Sequence, residues 1–295
     1  MNSFSFMPFE VRSHGGYYTR GFTSDENINK LICIHGGPGL TCDYFEHFPE
    51  MLKELDVQTI VYDQLGSFHS DRPGGDFQWS IDVFVQQLEQ ILNFHNCSSV
   101  NTILLGHSWG AVIALEHILQ FPGRVAGMIM SNAYFSISGY NSGLRKIFNS
   151  FPTDVKERLT ELKAEGFGHP DFQDIVNSYY FPVYMCRKNP WPEHLQNAVS
   201  HFDLEIFNKL GGGDIFHIGG LQQNWDKTQE SMIFDLPVLC ITGKFDPAYD
   251  DLIENYKLVK NSILHICENG GHFSMLDDMD SYFPSVRKFI QQVLK

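Results

Sequence analysis

No cluster of lysine or arginine occurs anywhere in the chain, and with 21 basic against 35 acidic residues the formal net charge is −14. Charge of that sign argues against nucleic acid or an anionic membrane surface as a partner, whereas a neutral or cationic small molecule meets no such barrier. The six cysteines, Cys33, Cys42, Cys97, Cys186, Cys240 and Cys267, show neither a CxxC pair nor a Cys/His ligand spacing. Cys33, Cys240 and Cys267 fall inside apolar runs that predict buried strands, so the thiols read as reduced core groups of a cytoplasmic protein. The opening MNSFSFMPFEV has no basic start and no continuous apolar run, so neither a secretory leader nor a membrane span is expected.

What the chain does have is enough material for one large domain: 295 residues, of which 43% are hydrophobic. Its organising stretch is Asn101 to Phe121, NTILLGHSWGAVIALEHILQF. Thr102 to Leu105 predicts a strand covered on both faces, and Ala111 to Phe121 predicts a helix. Between them Gly106, His107, Ser108, Trp109 and Gly110 form a GxSxG turn, in which small residues let strand and helix approach while the serine is held out of the fold in a strained conformation.

In chain order, Phe4 to Thr23 predicts an antiparallel hairpin at a sheet edge, turning around His14, Gly15 and Gly16. Leu31 to His35 predicts a strand that runs into Gly36, Gly37, Pro38 and Gly39. This glycine-rich stretch lacks the Lys-Ser/Thr end of a phosphate-binding loop and the spacing of a dinucleotide fingerprint. Glycines directly after a strand leave backbone N–H groups open to a ligand, as the second donor of an oxyanion hole requires. Cys42 to Leu55 is amphipathic and predicts a helix, Gln58 to Tyr62 a strand, Ser80 to Phe94 a core-facing helix, and Val125 to Met130 a further strand. From about Tyr134 to Trp225 strand alternation stops and aromatics and prolines crowd helix-like segments. Residues 133–230 therefore read as a helical cap inserted into a core made of 1–132 and 231–295. The core resumes with strands at Pro237 to Thr242 and Ser262 to Ile266 and closes with a helix at Asp280 to Leu294. Alternating strands and helices imply an α/β fold with a mostly parallel sheet and ligands bound beyond the carboxyl ends of the strands.

Those ends carry the candidate chemistry. Ser108, Asp246 and His272 each sit on a loop after a predicted strand, in the order Ser, Asp, His. In such a set the histidine takes the serine proton, the aspartate orients the imidazole, and backbone donors hold the oxyanion. His265 lies inside a strand and His107 within the elbow itself, so neither has the loop position of a general base.

His35 with the HGGPG stretch, the YDQ.G element at Tyr62 to Gly66, GHSWG, the GKFD loop and the GGH ending together resemble the proline iminopeptidase branch of the α/β-hydrolases, over almost the whole chain. The resemblance implies a serine hydrolase with Ser108, Asp246 and His272 as triad. It implies oxyanion donors from the N–H groups of Trp109 and Gly37, a helical cap, and no metal or cofactor. Gly36, His107, Ile215, Phe216 and Phe273 are expected to contact the substrate. The sequence departs from this branch at Leu65, Phe68 and His69, and where the peptidases place acidic residues that hold the substrate amine it has Ile215 and Pro247. Asp214 or Glu205 are the alternative anchors. Unless one of them serves, an ammonium would be buried without a partner, which costs several kcal/mol. Three readings follow: a hydrolase of esters or lactones with a bulky apolar group, an aminopeptidase or amino-acid amidase, and a catalytically dead hydrolase fold used as a binding module.

Overall fold

The computed structural model describes residues 7–294. Eight strands form one sheet: β1 (Met7–Arg12), β2 (Tyr18–Thr23), β3 (Lys30–Ile34), β4 (Gln58–Tyr62), β5 (Thr102–His107), β6 (Gly127–Ser131), β7 (Val238–Gly243) and β8 (Ser262–Cys267). Their order is β1-β2-β4-β3-β5-β6-β7-β8. β3 through β8 run parallel, while β1 and β2 pair antiparallel at one edge. The expected hairpin forms, although its first residues, from Phe4 to Phe6, lie outside the described residues.

The inner parallel strands, β3 to β7, are buried and largely apolar because both faces are covered. Leu31, Cys33, Val61, Ile103, Leu105, Ile129, Leu239 and Ile241 pack on one side with Phe48, Phe283 and Phe289. Ile32, Ile34, Ile60, Leu104, Met128, Met130 and Cys240 pack on the other with Phe84, Leu88 and Ile113. β8 departs from its expected full burial: as the far edge strand it is only partly covered, and Ile263 is exposed. All six cysteines are buried free thiols. Among the described residues no helix is long and apolar enough to cross a membrane.

The helix Ile81–Phe94 starts where Ser80 accepts a hydrogen bond from the Val83 N–H, and the helix Trp109–Gln120 follows Ser108 directly. Cys42 to Leu55 does not form the expected long helix; it breaks into a 3-10 turn at Asp43–Phe45 and one short helix, Phe48–Met51. Distant partners dictate that path, since the Cys42 N–H donates to Asp63 Oδ1 at 2.7 Å and Tyr44 is bonded to His107. Between β6 and β7 the chain is helical, including Ile137–Ser150, Thr153–Leu162, Glu193–Ser200 and Leu204–Gly211. One part of it, Val176–Met185, is wound as a π-helix around Pro182.

Candidate active site

Ser108 sits between β5 and its helix with φ 53° and ψ −120°, a region costly for any residue with a Cβ. Contact explains the two flanking glycines. A Cβ on Gly106 would lie 2.5 Å from the Cα of Ala111, and one on Gly110 would overlap the carbonyl of Ile34 in β3. The turn that raises the serine is thereby closed down onto the neighbouring strand.

His272 and Asp246, on the loops after β8 and β7, meet behind it: His272 Nδ1 lies 2.8 Å from Asp246 Oδ1. The Asp246 carboxylate is buried and its acceptor sites are filled. Oδ1 also takes the Ala248 N–H at 2.9 Å, and Oδ2 takes Asn132 Nδ2 at 2.8 Å and Thr242 Oγ1 at 2.9 Å. Burial alone would raise its pKa, but the charge of His272 and these donors outweigh burial and hold it below the ordinary carboxylate value. An ionised Asp246 can only accept, so Nδ1 carries the proton, and in the neutral imidazole Nε2 is then the nitrogen with the lone pair. Ser108 and His272 line one cavity, and the serine hydroxyl makes no hydrogen bond to another described residue. The N–H groups of Trp109, at the helix start, and of Gly37, in the cavity wall, are likewise unclaimed by described residues. Helix starts leave such donors free by construction.

Asn132 is a part of this site that the motifs did not point to. It follows β6 in the left-handed region with φ 50° and is fully buried. Besides Asp246, its side chain donates to the Gly271 carbonyl at 2.9 Å and accepts from Ser274 Oγ at 2.7 Å, joining the loops of Asp246 and His272. The available signal was an asparagine directly after a strand at the sheet's carboxyl end, since this residue type tolerates that backbone. Gln64 of the YDQ.G element has a similar bridging role. It donates from its side chain to the His35 carbonyl at 2.7 Å and accepts from Trp109 Nε1 at 2.8 Å.

The residues expected to contact substrate divide into two groups. Ile215 and Phe273 line the cavity. Gly36 does not, because its N–H donates to the Tyr44 hydroxyl at 2.7 Å. His107 borders the cavity, but both ring nitrogens are engaged: Nδ1 accepts from Tyr44 at 2.9 Å, and Nε2 donates to the His272 carbonyl at 2.8 Å. Burial first, and then the neighbouring His272, pull its pKa down to about 3, so it is a neutral brace under His272. Phe216 faces an adjacent cleft and packs behind Tyr180, ring centroids 5.0 Å apart. The interruptions after Gln64 also have partners. His69 pairs with the buried Asp63 at 2.8 Å, and Phe68 stacks on His201 at 3.8 Å.

The cavity measures about 360 Å³ and is walled mainly by aromatic and aliphatic side chains from the inserted helices. Among the described residues no aspartate or glutamate lines it. Asp214 faces the adjacent cleft, paired to Lys163 at 2.9 Å and accepting the Phe216 N–H at 2.8 Å. Glu205 is exposed and paired to Arg72 at 3.2 Å and Lys209 at 2.8 Å. Neither alternative amine anchor therefore reaches the cavity, and Pro247 is not in its wall either.

A family model for the alpha/beta hydrolase fold matches residues 29–279. The chain belongs to the α/β-hydrolase family. Its place within that family is the proline iminopeptidase branch: a proline iminopeptidase of Flavobacterium johnsoniae is 30% identical over 90% of each chain. Among solved structures, a proline iminopeptidase from Mycobacterium smegmatis superposes with a TM-score of 0.83 at 21% identity, covering 97% of this chain and 98% of that one. An esterase from Exiguobacterium antarcticum lies further off, with a TM-score of 0.67 at 17% identity over 97% and 100% of the two chains.

Proposed function

We propose that the protein is a serine hydrolase of the proline iminopeptidase type, an aminopeptidase or amino-acid amidase that works through an acyl-enzyme. The observation that carries the reading is the strained Ser108 sharing one cavity with a histidine whose far nitrogen is fixed by Asp246. In this mechanism His272 Nε2 takes the serine proton as Oγ attacks the substrate carbonyl, and the oxyanion is received by the Trp109 and Gly37 N–H groups. Collapse of the adduct breaks the bond to the leaving group, which takes the proton from the imidazolium. Water then attacks the ester on Ser108 by the same route, releasing the acid and restoring the hydroxyl. These steps use only the chain's own groups, and the partner is a small-molecule substrate covered by the inserted helices as a cap. The buried free thiols are in keeping with a cytoplasmic setting.

The relatives named as proline iminopeptidases support amide cleavage over the ester or lactone reading that the missing acidic anchors suggest from sequence. One observation keeps the second reading in play: among the described residues the cavity wall carries no carboxylate, so an ester or lactone with an uncharged apolar acyl group meets no unfavourable pairing. The test is a panel of p-nitrophenyl esters, lactones and proline p-nitroanilide. Ser108→Ala should cost at least about 1000-fold in kcat on whichever substrate is cleaved. Turnover near wild type in that variant would end the serine mechanism, and cleavage of esters without the anilide would favour the second reading.

A further inference from the structure

Resting on that reading, we infer that Tyr140 and Tyr180 recognise an uncharged hydrogen-bonding group on the acyl part of the substrate, next to the scissile carbonyl. Both side chains line the cavity that holds Ser108 and His272, at 7% and 3% exposure. Neither hydroxyl makes a hydrogen bond to another described residue, whereas Tyr134 in the same wall donates to Gln222 at 3.2 Å. Their rings are held in place. Tyr140 stacks on Tyr134 with centroids 4.6 Å apart and lies 6.2 Å from the His272 ring, and Tyr180 packs on Phe216 at 5.0 Å.

Each hydroxyl opens into the cavity, so a ligand atom can take the place of cavity water as its hydrogen-bond partner. Burial, reinforced by the charge of Asp246, pushes both phenols above their ordinary pKa, so they meet the ligand as neutral donors or acceptors. An ammonium could donate to them, but it would leave water for a wall that has no carboxylate among the described residues. The matching chemistry is therefore neutral: an ether, carbonyl or hydroxyl oxygen, or a deprotonated amine.

Four p-nitrophenyl esters separate these cases: the near-isosteric esters of cyclopentanecarboxylic acid, tetrahydrofuran-2-carboxylic acid and proline, and the bulkier ester of N,N-dimethylproline. With each kcat/KM divided by that ester's own rate constant for hydroxide hydrolysis, which removes the inductive activation by an α-oxygen or ammonium, the tetrahydrofuran ester should exceed the cyclopentane ester by about tenfold, the worth of one good hydrogen bond. The permanently cationic dimethylproline ester should be poorest. If the natural group is an amine, the prolyl-to-tetrahydrofuran ratio should climb as pH passes the amine's own pKa, a ratio in which the enzyme's titrations cancel. Tyr140→Phe and Tyr180→Phe should each shrink the tetrahydrofuran preference severalfold. A tetrahydrofuran-to-cyclopentane ratio near one, a ratio unmoved in both variants, or a dimethylproline ester that is the best of the four would overturn the inference, the last pointing to the aromatic faces as a cation site. Should the variants not fold, the wild-type series decides alone. Cleavage that depends on Ser108 but shows flat ratios defeats only this inference. No cleavage of any ester, with Ser108 refractory to a fluorophosphonate, defeats the hydrolase reading and this inference with it.

Discussion

Asp277 and Asp246 show how one side chain is driven in opposite directions by the number of donors that surround it. Asp246 has four, and its depressed pKa means that its contribution to stability is present above the ordinary carboxylate range and lost as pH falls through the folded value. Asp277 has two, the N–H groups of Arg187 at 2.9 Å and Gly271 at 3.0 Å, both on Oδ2, while Oδ1 is buried without a partner. Burial pushes its pKa from 3.8 to about 6. The sign is then reversed: the stability this group contributes is complete below the unfolded pKa and is lost as pH rises through about 6, leaving the ionised carboxylate at a net cost near neutrality. A rise of that size is worth at most about 3 kcal/mol. Asp277→Asn keeps an oxygen for both donors and cannot ionise. It should therefore unfold at higher denaturant concentration than wild type at pH 8, with the gap closing as both proteins approach pH 4. A variant less stable than wild type at pH 8, with the deficit shrinking toward pH 4, would show that the carboxylate is needed as an anion.

At the scale of elements, the loop that carries His272 is paired along its backbone with the inserted segment that ends the π-helix. The His272 N–H donates to the Tyr184 carbonyl and the Phe273 N–H to the Met185 carbonyl, both at 2.8 Å. Gly271 makes this possible, because a Cβ there would lie 2.9 Å from each of those carbonyl oxygens. Gly271→Ala should push the two segments apart and shift His272 relative to Ser108. We expect about a 10- to 100-fold loss in kcat, with the circular dichroism spectrum of the wild type, since sub-ångström placement governs the step. An unchanged kcat would mean that the contact does not position the histidine. Ser108, Asp246 and His272 could be picked out of the sequence because each lies on the loop that follows an apolar run bounded by glycines, which marks a strand end. The region between β6 and β7 was legible only as helical. Whether Ile215 or Phe216 faces the cavity, and that Tyr140 does, depends on how the helices pack, and no periodicity records that. The same limit applies to Cys42–Leu55, whose amphipathic pattern was overridden by hydrogen bonds to Asp63 and His107, far away in sequence.

Over the whole molecule, the inserted helices share their cores with the sheet. The apolar cluster on one face of the sheet continues from Leu104, Met128 and Cys240 into Tyr140, Leu144, Leu159, Val176 and Phe207 of the insertion. On the other face Leu195 and Ala198, from the helix Glu193–Ser200, join Phe45 and Phe48. The insertion's entry is tied down as well: buried Asp251 accepts from the Phe135 N–H at 2.6 Å and from Ser136 Oγ at 2.9 Å, and Ser136 forms a β-bridge with Asp226 near the exit. Chains of this length often unfold through intermediates when their parts have separate cores. Here removing the insertion would expose apolar surface on both faces of the sheet, so the two parts should unfold together. The tryptophans offer the test, with Trp109 fully buried under the elbow and Trp225 buried in the insertion. Variants that keep only one of them should report the same denaturant midpoint, and calorimetry should give a single transition whose measured enthalpy equals the van't Hoff value. A Trp225 transition well before that of Trp109 would mean that the insertion opens as its own unit, with a free energy small enough to admit substrate by local unfolding. Coincident transitions would require entry through side-chain and loop motion around an insertion that stays folded.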